Sequence, residues 1–112
     1  MNWYEELFGY EPKTTFWQDF SIAEMFGNSA IKDTFERAFR EWKDNYEYLT
    51  ELVLVLNHKI WQWYGISKEQ AKREQSALIR SKLYNELWIK ADNYACNNLQ
   101  GEELSYFYNV TD

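Results

Sequence analysis

One histidine and one cysteine limit the chemistry open to this chain. Nucleophilic catalysis needs a nucleophile, a base within hydrogen-bond reach and a group that orients the base. His58 is the sole imidazole, Cys96 the sole thiol, and no Gly-x-Ser-x-Gly turn occurs. A zinc site draws three or four ligands from Cys, His and carboxylates. Here there is no second histidine and no Glu-x-x-His or His-Glu-x-x-His pair. Phosphate cradles need spare glycines. The four present, Gly9, Gly27, Gly65 and Gly101, all fall at expected element boundaries. Carboxylates are plentiful, but spacing alone pairs none of them into an acid/base couple. The expectation is a protein without enzymatic activity, with no cofactor, no metal and no small-molecule substrate. His58 lies two positions past the seam residue Leu56 and is expected in solvent. Cys96, beside Tyr94 and Ala95, is expected to pack as a small hydrophobe.

What remains is recognition. Aromatic residues make up 20% of the chain, with six Trp and nine Tyr, more than a helical core of this size needs. Trp and Tyr dominate binding hot spots. Those left off the main apolar seam, Trp17, Trp61, Tyr64, Trp88 and Tyr106, are therefore the candidate protein-binding anchors. A net charge of −6 repels nucleic acid and anionic membranes. Asp33, Glu36, Asp44, Glu47 and Glu51 include pairs three or four apart, as an acidic DNA mimic or nuclease-directed inhibitor would require. Lys32, Arg37, Arg40 and Lys43 interleave with them and work against that reading. Ser21 to Ser29, with Ala23 and Gly27 four apart, has the pattern of the first helix and turn of a helix-turn-helix. Asp33 then stands where the recognition helix would need an apolar anchor.

These residues must be positioned by helices. Between Gly27 and Gly65 there is no other glycine and no proline. Within that stretch Phe35, Phe39, Trp42, Tyr46, Leu49, Val53, Leu56, Ile60 and Trp63 form an a/d heptad seam. Asp44-Asn45 is its weak point, since both residues favour caps over helix interiors. A break there would give two helices, near 29–43 and 46–64; the heptad phase passes through Tyr46 undisturbed, which favours one continuous helix of roughly 55 Å at about 1.5 Å per residue. Asn28 is expected to cap it. Gly65-Ile66-Ser67 reads as a turn, and Ser67 to Gln70 as a capping box opening a second long helix over 68–99. A three-residue connection makes the two antiparallel, with the end of the second beside Phe35 to Tyr46.

Two short helices precede this hairpin. Asn2 and Glu5 have capping-box spacing for the first, which Gly9 stops. Thr15 and Gln18 repeat that spacing for the second, with Phe16, Phe20 and Ala23 on one face. A final helical turn follows Gly101, with Leu104, Phe107 and Tyr108 inward. The expected fold is all-α: a long antiparallel α-hairpin with the short elements packed on it, a three- to four-helix bundle forming one domain over residues 1–112. The apolar residues near the hairpin turn, Ile60, Trp61, Trp63, Tyr64 and Ile66, face a polar stretch of the second helix and suggest self-association there.

Three blocks carry a family resemblance. Thr14 to Ala23 (TTFWQDFSIA), Trp42 to Leu52 (WKDNYEYLTEL) and Gly101 to Tyr108 (GEELSYFY) resemble a group of small uncharacterised proteins carried on integrative conjugative elements and prophages of gut Firmicutes. The resemblance covers most of the chain and implies a bacterial accessory protein of a mobile element, without transferable site residues. The first residues lack a basic segment followed by an apolar run. The apolar run Leu52 to Leu56 is too short to span a bilayer. A cytoplasmic protein without membrane contact is expected, partnered by an unidentified protein or by itself.

Overall fold

The computed structural model describes residues 3–9, 11–62 and 75–111. Six helices account for them: α1 Trp3–Phe8, α2 Phe16–Phe26, α3 Asn28–Trp42, α4 Tyr46–Gln62, α5 Gln75–Asn98 and α6 Glu102–Thr111. The class is all-α, and the helices pack around one shared core. The expected turn at Gly65 to Ser67 and the cap at Ser67 lie outside the described residues.

The expected continuous helix is broken at Asp44-Asn45. Trp42 ends α3, and the Asn45 amide donates to the Trp42 carbonyl at 2.8 Å. The Asn45 side chain then caps α4, its Oδ1 accepting from the Glu47 amide at 3.2 Å. An asparagine that satisfies the free N–H groups of a new helix start competes well with a helix interior. The molecule's longest extent is 44 Å, less than a straight 27–65 helix would need.

Contacts made by α5 and α2 establish the reversal. Along α5, Arg80 reaches Asn28, Lys90 reaches Glu36, and Tyr94 reaches Asp44. Thus α5 ascends parallel to α3. Lys59, near the end of α4, pairs with Glu24 at the end of α2, a few residues before α3 begins, so α4 returns antiparallel to α3. Only the α4 half of the expected first arm runs antiparallel to α5, and the connection between them lies outside the described residues; the α3 half runs parallel to α5 instead. The end of α5 does lie beside Phe39, where Tyr94 meets that ring edge-on at 5.6 Å.

The seam residues are nevertheless core residues. Phe35, Leu49 and Leu56 are fully buried, and Phe39 and Val53 nearly so. Apolar periodicity records which face is covered; it does not record whether the axis continues. Trp42 fills the corner, edge-on to Phe16 and Tyr48 at 5.7 and 5.9 Å. In α4 the whole run Leu52 to Leu56 is buried, as befits a central helix touched by α1, α2, α3, α5 and α6. That explains an apolar run without alternation. Among the described residues, no helix is long and apolar enough to cross a membrane.

Two further expectations are corrected. Thr15 precedes α2, but its side chain does not cap; its carbonyl accepts from the Gln18 and Asp19 amides at 3.0 Å each. Asn28 is the first residue of α3 rather than its cap, and its side chain accepts from Arg80 instead. Gly27 makes the reversal between α2 and α3 with φ 116° and ψ −177°, a conformation essentially restricted to glycine. The C-terminal turn extends to the ten residues of α6, with Phe107 buried and Tyr106 edge-on to Tyr46 at 5.4 Å.

Candidate functional site

Buried ionisable groups mark function more often than exposed ones. Glu24 of α2 joins three helices. Its Oε1 lies 2.7 Å from Lys59 Nζ of α4, and its Oε2 accepts from the Tyr84 hydroxyl of α5 at 2.6 Å. Burial and the Glu24 carboxylate both push the Tyr84 phenol well above its ordinary range. His58, beside this cluster, is half-buried rather than solvated. Burial and the Lys59 charge hold its pKa below the ordinary 6.5, with Glu24 opposing.

Glu51 is the second buried carboxylate, 1% exposed. Its Oε1 accepts the Lys13 amide at 2.7 Å, tying the loop before α2 to the middle of α4. Burial raises its pKa, while the Lys13 and Thr14 amides pull it down. Among the described residues, Glu51 Oε2 and Thr14 Oγ1 have no hydrogen-bond partner.

The groove between α2 and α3 and the groove between α3 and α5 are lined by other residues. No group of three or more His, Cys, Asp or Glu among the described residues could hold a metal ion. These polar groups locate helices relative to one another.

The candidate anchors are placed as follows. Trp17 and Trp88 are half-buried and packed against the core. The Trp88 indole nitrogen is buried without a hydrogen-bond partner among the described residues. Tyr106 is half-buried against Tyr46. The side chain of Trp61 and all of Tyr64 lie outside the described residues, as does most of the apolar group near the hairpin turn. Cys96 is exposed on α5 and contacts the Tyr108 hydroxyl; it is not the packed hydrophobe expected of it.

Water-facing apolar surface lies elsewhere. Met25 is 84% exposed, Phe26 79% and Ile22 54%. Spaced at i, i+3 and i+4, they form one stripe of α2. The opposite stripe, Phe16, Phe20 and Ala23, is buried in the core. A helix apolar on both sides is normally covered on both sides. That signal was present in the sequence as the second stripe, which a search restricted to Trp and Tyr passes over. Beside it runs an open groove of about 340 Å³ between α2 and α3, with Asp19 and Arg37 as its two charged lining residues.

No protein-family model, curated protein or solved structure matches this chain.

Proposed function

We propose that this is a non-enzymatic helical accessory protein that acts in the cytoplasm by binding another protein chain through the outer face of α2. The carrying observation is the double apolar character of α2, with Phe16, Phe20 and Ala23 inward while Ile22, Met25 and Phe26 stand in water. Exposing such side chains together is costly unless a partner covers them. The resemblance to accessory proteins of mobile elements agrees with this reading.

Other readings draw less support. An acidic mimic needs an unbroken negative face, yet the candidate acids are mostly engaged. Glu36 pairs with Lys90 at 2.8 Å, Glu47 with Lys13, Asp44 accepts from Tyr94, and Glu51 is buried. A helix-turn-helix joins its helices by a turn of three or four residues, whereas Gly27 alone separates α2 from α3.

The test is an affinity pull-down from a bacterial lysate with tagged wild-type protein and its Phe26→Asp variant, each with and without nuclease. A stoichiometric protein held by wild type, resistant to nuclease and lost with Phe26→Asp, is the expected result. Equal recovery by both baits would remove α2 from the reading. Recovery abolished by nuclease would favour nucleic-acid binding instead.

A further inference from the structure

We propose that the partner of the α2 face is a second copy of this chain, docked about a two-fold axis that runs along the groove between α2 and α3. This rests on the reading above and names its occupant.

The geometry of the α2–α3 reversal carries the argument. The two helices run antiparallel from Gly27, so residues at similar distances from that turn stand level across the groove. Phe26 is level with Ala30, Ile22 with Thr34, and Asp19 with Arg37, all six of which line the groove. A two-fold axis along the groove exchanges its two banks. Phe26 of each copy then faces Ala30 of the other, a large exposed ring over a small residue. Ile22 faces Thr34. Asp19 faces Arg37 in two symmetric pairs. An isologous contact requires this self-complementarity, in which i meets j and j meets i.

Charge points the same way. The molecule carries −6 in total, so two copies repel at long range. The groove carries one acid and one base and is neutral. Arg37 makes no ion pair among the described residues, while Lys13, Lys59 and Lys90 are each paired with a glutamate. Among the described residues, the Asp19 carboxylate has only a long contact, 3.4 Å from the Thr15 hydroxyl. Both groove charges are thus available to a partner of matching pattern.

Area sets the expected strength. With roughly 150–250 Å² per large side chain, the exposed fractions of Ile22, Met25 and Phe26 leave on the order of 400 Å² of apolar surface per copy. A standard interface buries about 800 Å² per partner. The α3 bank and the charged rim must supply the remainder, which suits a dissociable dimer rather than an obligate one.

Sedimentation velocity on the full chain, from about 1 to 500 µM to bracket a micromolar constant, tests this. Wild type should pass from monomer to dimer. Phe26→Asp, at an exposed position, should weaken the dimer about 30-fold or more, as a hot-spot residue does. Asp19→Arg and Arg37→Asp should each weaken it about tenfold, and the two together should restore it to within a few-fold. Circular dichroism of every variant confirms the helices.

A monomer throughout overturns the self-docking proposal. The lysate pull-down then decides separately whether the α2 face binds a different protein. A dimer indifferent to Phe26→Asp overturns it by placing the contact elsewhere. Failure of the charge exchange to restore association overturns the two-fold register.

Discussion

Replacing Lys59 by methionine tests the buried cluster that ties α2, α4 and α5 together. The change keeps most of the aliphatic stem and removes the ammonium. Glu24 is left as a carboxylate only 17% exposed, bonded to the Tyr84 hydroxyl alone of its two described partners. Breaking a buried pair by removing one partner costs about 3–5 kcal/mol, chiefly because the other charge stays buried. The residual exposure of Glu24 sets the expectation near the lower end, about 3 kcal/mol. A domain of this length has roughly 5–15 kcal/mol in total, so the variant should still fold. Its melting temperature should fall by roughly 10–20 °C. Adding Glu24→Gln removes the stranded charge while its carbonyl can still accept from Tyr84. The double variant should recover to within about 1 kcal/mol of wild type. Urea unfolding followed by helical circular dichroism measures all four members of the cycle. A loss below about 1 kcal/mol for Lys59→Met, or no recovery in the double variant, would refute a coupled buried pair.

Other expectations follow from single residues. Asn45→Ala removes the cap that starts α4 and should cost about 1 kcal/mol, read by urea unfolding. Gly27→Ala meets no atom within 4 Å, so its cost is conformational alone. About 1–3 kcal/mol is expected, with the same value for Gly27→Ser; a large difference between the two would implicate sterics. Burial raises Glu51 above its ordinary 4.5. A raised folded-state pKa means the native state binds the proton more readily. Its stabilising contribution is therefore complete below pH 4.5 and declines as pH rises from there through the folded-state value. Unfolding curves across this range should show wild type losing stability relative to Glu51→Gln as pH increases, and the opposite trend would contradict the burial argument.

Sequence alone was sufficient for the helical class, the boundaries at Gly27 and Gly101, and much of the core. Each depends on a local property. Gly27 adopts a backbone conformation closed to other residues, and the seam from Phe35 to Leu56 has the spacing of a buried helix face. Asp44-Asn45 could be read as a possible break, but the chain reversal there stayed undecided, because a seam that faces one common core keeps its phase whether the axis runs straight or folds back. The capping energy of Asn45 and the pairing of Lys59 with Glu24 across the reversed helices favour the fold seen. Tertiary structure also decided which apolar side chains meet water. Trp17, Trp88 and Tyr106 found neighbours, while Ile22, Met25 and Phe26 stayed exposed, with no described helix covering them. Periodicity shows that a helix has an apolar face; how many neighbours can reach α2 is settled only when α3, α4 and α5 are in place.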